Sequence, residues 1–179
     1  MERPVLETGR LILRPPEAQD FDAWAEFCAD PASMRWLGGE LPRPAAWRNM
    51  LTMSGAWVLQ GFGYFSVIEK ASGEWVGRVG PWFPEAWPAP EVGWGILRSR
   101  TGRGYAVEAA TAVMDFAFDV LGWERTIHII HPENTPSQGV ARRLGSGLLG
   151  PVSLPAPLES WPAEAWGQTR EAWRSRVRP

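Results

Sequence analysis

Three arginines, two glycines and the apparent start of a helix share one nine-residue run, Arg98-Ser99-Arg100-Thr101-Gly102-Arg103-Gly104-Tyr105-Ala106. Glycine lets a backbone approach a ligand closely and turn its amide hydrogens outward. A helix beginning at the second glycine adds unpaired N–H groups and the positive end of its dipole. Such a terminus favours an anion, most often a phosphate, and flanking arginines add charge-assisted hydrogen bonds. The same residues also fit an ordinary glycine-rich turn with solvated arginines. The dinucleotide fingerprint G-x-G-x-x-G is not met: Val107 stands where the third glycine belongs, and the acid near the right spacing, Asp119, falls inside the helix. The nucleoside-triphosphate loop G-x-x-x-x-G-K-[ST] has no match, and Lys70 is the lone lysine.

Other reactive side chains lie on either side of this run. Glu91 opens a strand, Glu91–Leu97, on which Val92, Trp94 and Ile96 share one face and Glu91, Gly93, Gly95 and Leu97 the other. Two glycines leave the second face nearly bare, a mark of close approach by a ligand or another backbone. The expectation is a cleft face with Glu91 at its edge; the alternative is a solvated glutamate beside a bulge. Downstream, Asn134 and Ser137 bracket a helix start, where both residue types commonly cap. His128 and His131 lie three apart on a strand, hence on opposite faces, and cannot share a metal; no Cys/His/acid spacing suggests zinc. His128 reads as structural, because buried histidines are usually satisfied within the fold, and His131 as near the ligand. Arg142 and Arg143 either approach phosphates or are solvated.

Period and punctuation place the elements that carry these groups. Arg10–Arg14 alternates and stops at Pro15-Pro16, as a first strand does. Asp20 is the expected N-cap of a helix Phe21–Ala29, with Phe21, Trp24, Ala25 and Cys28 on its apolar face. Pro31 ends that register, and 31–43 reads as loop. A helix Pro44–Val58 is expected to bury Trp47, Leu51, Ser54 and Val58, with Met50 and Trp57 beside them. Trp36, Trp47 and Trp57 are read as core, with acceptor contact as the alternative. Strands Tyr64–Glu69 and Trp75–Trp82 flank a hairpin-sized turn. After the Glu91 strand comes a helix Gly104–Leu121, buried except for a stripe of Glu108, Thr111, Asp115 and Asp119 and stopped by Gly122. A fifth strand, Thr126–His131, a helix Pro136–Leu144 and a sixth strand, Leu148–Leu154, follow. From about 151 the tail is rich in proline and tryptophan. It holds a short strand, Ala163–Gly167, and a closing amphipathic helix over Trp166–Val177 built on Trp166 and Trp173.

At 179 residues one domain, 1–179, is the natural expectation. A hydrophobic share of 45% with 21% charged residues fits a soluble globular protein. A net charge of −2 argues against a general binder of nucleic acid or anionic membrane. The single cysteine, Cys28, cannot form an internal disulfide and fits a reducing cytoplasm. The start MERPVLETGR lacks the apolar core of a secretion signal, and no apolar run approaches the ~18 residues of a spanning helix.

Thr101-Gly102-Arg103-Gly104-Tyr105-Ala106 resembles the [Q/R]-x-x-G-x-[G/A] acetyl-CoA site of the GNAT superfamily of N-acetyltransferases. Its RimJ/RimL-like branch often writes W-G-x-G-Y-A followed by x-E-A, and Val107-Glu108-Ala109 complies. Thr101 departs from the usual Gln, Arg or Trp. Pro132 to Ser137 is similar to the family's P-x-N-x-x-S, and Leu6 to Arg14 to its opening L-x-T-x-R-L-x-L-R. The resemblance covers roughly residues 5 to 150. It implies an α/β fold with a mixed, mostly antiparallel sheet of six to seven strands, flanked by about four helices and splayed between strands four and five.

It further implies acetyl-CoA as co-substrate, no metal, and acetyl transfer to a primary amine by direct attack in a ternary complex. The amine is a protein N-terminus or a small molecule. Cofactor contacts would come from Ile96, Leu97, Arg98, Gly102, Arg103, Gly104, Tyr105, Ala106, Asn134 and Arg143, with Asn134 on the pantetheine arm. A backbone N–H at Ile96 or Leu97 would stabilise the oxyanion, and Ser137 would protonate the leaving thiolate. Glu91, or else Glu159, would accept the amine's proton. Acetyl-CoA and the amine are the expected partners of a cytoplasmic monomer or homodimer, without nucleic acid or membrane. Two other classes stay open: a non-catalytic CoA-binding regulatory module, and a nucleotide-binding protein using the same turn.

Overall fold

The structure, a computed structural model, describes residues 4–176. Among these the chain forms eight strands: β1 (Leu6–Glu7), β2 (Leu11–Arg14), β3 (Phe65–Glu69), β4 (Trp75–Trp82), β5 (Glu91–Ile96), β6 (Arg125–Ile130), β7 (Gly147–Pro151) and β8 (Glu164–Thr169). They make one sheet in the order β1-β2-β3-β4-β5-β6-β8-β7, antiparallel throughout except for β5–β6. Six α-helices accompany it: α1 (Phe21–Ala29), α2 (Pro31–Met34), α3 (Arg43–Leu59), α4 (Tyr105–Asp119), α5 (Thr135–Arg143) and α6 (Arg170–Ser175). The expected mixed, mostly antiparallel sheet is present. Its expected fourth and fifth strands are β5 and β6, because the two-residue β1 precedes the first. Among the described residues no helix is long and apolar enough to cross a membrane.

Each sheet face buries its own cluster. On one side Leu11, Leu13, Phe65, Val79 and Val92 pack against Val113, Phe116 and Ala117 of α4. On the other, Trp75 and Leu97 pack against Trp24, Phe27 and Cys28 of α1 and Met50 and Met53 of α3. The two glycines of β5 belong to this second side. A Cβ on Gly93 would collide with the Tyr64 hydroxyl, and one on Gly95 would stand 2.7 Å from Phe27 Cζ. The bare face is therefore largely filled by aromatic rings of the protein; Gly95 borders a cleft, whereas Gly93 and Glu91, its expected edge, do not.

Several local expectations change for physical reasons. Apolar residues surround α3, so period alone does not select its buried face. Ala46 and Ala56 allow close approach and turn Met50, Met53 and Trp57 inward, which leaves Trp47, Leu51 and Val58 exposed. Asp20 does not cap α1 with its side chain. Its carboxylate accepts from Arg14 Nη1 (2.8 Å) and Nη2 (2.7 Å), the Ser66 hydroxyl (2.6 Å) and the Glu17 amide (2.9 Å). Residues 31–34, expected as loop, form one helical turn because Asp30 accepts from the Ser33 amide at 2.8 Å. In the tail, Trp166 belongs to β8, paired with His128, and the helix begins only at Arg170, capped by Thr169. Val177, its expected end, lies outside the described residues.

Gly95→Ala is expected to displace Phe27 from the sheet and destabilise the fold by about 1–3 kcal/mol. Urea unfolding measures this; an unchanged midpoint would show that the ring does not rest on the glycine.

Candidate active site

β5 and β6 run parallel but join at a single rung. Glu91 pairs with Ile127, whose N–H donates to the Pro90 carbonyl at 2.9 Å. The next rung of a parallel ladder would join the Ile129 amide to the Val92 carbonyl. Both groups are diverted to side chains instead. The Ile129 N–H donates to Glu91 Oε1 at 3.3 Å, and the Val92 carbonyl lies 2.7 Å from His128 Nδ1. A nitrogen facing a carbonyl must carry its hydrogen, so Nε2 accepts from the Ser146 hydroxyl at 2.9 Å, which in turn accepts from Gln168 at 2.9 Å. Burial pushes the His128 pKa down to about 4, against the Val92 bond, and the ring stays neutral. The other Glu91 oxygen accepts from Trp87 Nε1 at 2.7 Å. Burial pushes the Glu91 pKa up to about 7, although the Ile129 and Trp87 bonds and the Arg78 charge oppose it.

Beyond these two caps the strands part. Backbone groups alternate sides along a strand. The Leu97 N–H donates to the Val76 carbonyl of β4 at 2.9 Å, so the N–H and carbonyl groups of Trp94 and Ile96 turn the opposite way, into the fork. Of the two amides expected to face the thioester, that of Leu97 is thus spent on the sheet. The fork opens into a cleft of about 1330 Å³. Phe27, Trp94, Gly95 and Ile96 line one end, Thr101, Gly102, Gly104 and the first turns of α4 the other, and Asn134, Ser137 and Arg143 the wall opposite.

At the outer end Gly102 and Gly104 adopt φ of 77° and 82°, a left-handed backbone that favours glycine. Gly104 is the N-cap of α4 and no side chain caps the helix, so its first amides are available to an anion. The loop is braced from a distance. Arg10 Nη1 donates to the Arg103 carbonyl at 3.0 Å, Arg10 Nε to Glu108 Oε2 at 2.7 Å, and the Thr8 hydroxyl to Glu108 Oε1 at 2.6 Å. Burial alone would raise the Glu108 pKa; the bonds from Thr8 and Arg10 outweigh it and hold the carboxyl below its usual range.

The flanking arginines divide. Arg98 and Arg143 are exposed on the cleft wall. Arg100 also borders the cleft but is paired with Glu69 and Glu74. Arg103 contributes its carbonyl to Arg10, and its side chain does not line the cleft. The Tyr105 hydroxyl is committed to Glu69. Arg142 lies over the Trp166 ring. Asn134 Oδ1 accepts from the Ser137 amide at 3.2 Å, capping α5. Ser137 Oγ accepts from Trp94 Nε1 at 3.3 Å, which leaves the hydroxyl's own hydrogen for another acceptor. Glu91 is buried and absent from the cleft wall, and Glu159 is exposed in a turn, also off the wall. His131 packs between Trp36 and Trp161 at 4.4 and 5.4 Å; Trp36 itself lines the cleft. Sequence reasoning missed the Gln168–Ser146–His128 chain and the brace from Arg10, although Arg10 and Glu108 both lie inside its motifs.

A family model described as "Acetyltransferase (GNAT) domain" matches residues 10–146. The uncharacterized N-acetyltransferase p20 of Bacillus licheniformis is 30% identical over 135 residues, 74% of this chain and 76% of that protein. The crystal structure of an acetyltransferase from Agrobacterium tumefaciens str. C58 is 30% identical with a TM-score of 0.83, covering 95% of this chain and 96% of its own. A ribosomal-protein-S5-alanine acetyltransferase from Vibrio fischeri shares the fold with a TM-score of 0.71 at 18% identity, covering 95% and 98%.

The two buried groups at the fork pull stability in opposite directions. Between the ordinary carboxyl range and about pH 7 the folded chain keeps a proton on Glu91 that the unfolded chain has released, so its contribution falls as pH rises. Between about pH 4 and the ordinary imidazole range, unfolding lets His128 take up a proton, so its contribution falls as pH drops. Relative to wild type, Glu91→Gln should therefore gain stability on the order of 3 kcal/mol as pH rises through the Glu91 window. Urea unfolding of both proteins from pH 4.5 to 8 checks this; parallel curves would mean that Glu91 titrates as an ordinary carboxylate.

Proposed function

The chain belongs to the GNAT acetyltransferase family, and from that premise we propose that it moves acetyl from acetyl-CoA to a primary amine by direct attack in a ternary complex. The reading follows the RimJ/RimL-like branch, with a protein N-terminus or a small amine as acceptor. The observation that carries it is the uncapped N-terminus of α4, entered through two left-handed glycines at the mouth of a fork between parallel strands. The amides of Gly102 through Ala106 suit a diphosphate, with Arg98 and Arg143 adding charge at the rim. The inward-facing backbone of Trp94 and Ile96 suits the amide-bearing pantetheine arm, with Asn134 opposite. When bound, acetyl-CoA supplies the activated acetyl thioester.

The chain's own groups do the rest. The Ile96 N–H donates where charge develops on the carbonyl oxygen, a contact worth ~3–4 kcal/mol when well aimed. Ser137, held from behind by Trp94, donates its hydroxyl hydrogen to the departing sulfur. Glu91 has a proton affinity suited to a base near neutral pH. It lies four residues before Gly95, about 13 Å along the strand, so it receives the amine's proton through water. Glu159, exposed in its turn, is the weaker candidate.

Calorimetric titration with acetyl-CoA is the direct test: saturable binding to the folded protein is expected, and its absence would reject the reading. Thiol release with an amine panel then separates an enzyme from a binding module. Ser137→Ala should lower kcat by ~10–100-fold at unchanged acetyl-CoA affinity; a loss of affinity alone would make Ser137 structural. The wild-type rate should climb with pH through about 7, and Glu91→Gln should lose that limb.

A further inference from the structure

One buried charge takes no part in that mechanism. Arg78 lies on β4 directly opposite Gly95 of β5 and is only 7% exposed. Its guanidinium carbon sits 5.0 Å from the Tyr64 ring, 5.4 Å from Trp24 and 5.7 Å from Phe27. Nε and Nη1 are buried with no hydrogen-bond partner. Ring faces attract a cation, but they offer none of the in-plane oxygen acceptors that a guanidinium is built to meet. Glu91, on the same sheet face, feels the Arg78 charge but accepts no hydrogen bond from Nε or Nη1, its donors being Trp87 and Ile129. Charges taken out of water are normally paired, and an orphaned one is costly. Arg78 is thus a buried donor group awaiting an acceptor.

Its position indicates where that acceptor comes from. Phe27 and Gly95 are shared walls: both line the cleft, and Phe27 also closes the cage around the guanidinium. The cage lies on the α1/α3 side of the sheet. The amides suited to the diphosphate of CoA lie at the start of α4, which packs on the opposite face of the sheet. The anions of the co-substrate are therefore accounted for elsewhere. We infer that Arg78 anchors a carboxylate of the acceptor, so that the preferred substrate is an amine that also carries a carboxylate, as an amino acid does. The Phe27 ring edge swings from Gly95 to admit it, and the bound carboxylate fixes the amine's approach to the thioester.

This inference deepens the proposed acetyl transfer and rests on it. The shared chemistry is a carboxylate near an amine, from either a free amino acid or an acidic second residue of a peptide. Thiol release is measured with a panel of free α-amino acids and their primary amides, and with Ala-Asp-amide against Ala-Asn-amide, for wild type, Arg78→Lys and Arg78→Met. Wild type should favour the acid of one pair, which identifies the source. Arg78→Met should lose about 10–100-fold in kcat/KM for that acid, the scale of a lost hydrogen bond to a charged group, and the acid-to-amide ratio should collapse toward one. Arg78→Lys should keep part of the ratio, and decides the matter alone if the Met variant does not fold. A wild type indifferent to the carboxylate, or a ratio that survives in both variants, overturns the assignment. Thermal shifts with the same acids and amides, without acetyl-CoA, read the anion site independently. Shifts that depend on the carboxylate and on Arg78, in a protein that releases no thiol with any amine, would uphold the anchor and reject the transfer reading.

Discussion

The architecture depends on two backbone groups being prevented from bonding to each other. The Val92 carbonyl and the Ile129 amide are consecutive partners in a parallel ladder, and if they met, β5 and β6 would close into continuous sheet. A neutral imidazole and a buried carboxyl take one group each. Each cap is itself anchored, His128 through Ser146 to Gln168 of β8, and Glu91 by the Trp87 indole. The two groups at the apex of the fork are therefore satisfied, and the strands part there without orphaning them; beyond the apex the backbone groups of Trp94 and Ile96 face the gap.

The gap separates two kinds of chemistry. On the α4 side the helix N-terminus and its glycines present amides, a surface suited to spread negative charge. On the α1/α3 side aromatic rings press onto a sheet face stripped to hydrogen atoms at Gly93 and Gly95, burying Arg78 and Glu91 beneath them, with Tyr64 half-buried alongside. Burial moves the proton affinities there: it raises that of the Tyr64 hydroxyl, with the Glu91 charge adding to the effect, and it raises that of Glu91. A thioester held in the fork would have a polar cradle at its tail and a low-dielectric compartment at its reacting end.

Much of this was legible from the residues. Phe21–Ala29 and Trp75–Trp82 come out with the boundaries read from the sequence, because prolines, glycines and turn residues bracket each one. The α4 turn was legible because left-handed backbone at a helix start demands glycine. The glycine pair of β5 announced close approach but not by what, and rings of the same chain answered it. The buried face of α3 was not legible, since tryptophan, leucine and methionine occur all round it. The fork caps join residues 36 and 38 positions apart and exist only once β5 and β6 lie side by side. Arg78 left a signal that went unused: a lone charge inside Trp75–Trp82, a strand apolar on both faces.

The clasp of Thr8 and Arg10 on Glu108 carries a consequence for how the molecule assembles. It spans 98 to 100 positions along the chain, so it forms only after a long loop has closed. Contacts of such separation slow the search for the native state. The glycine turn is local, yet the arginine that steadies it comes from the very start of the matched region. A chain in which the Thr8–Arg10 segment has not met α4 therefore holds the glycine turn without its brace.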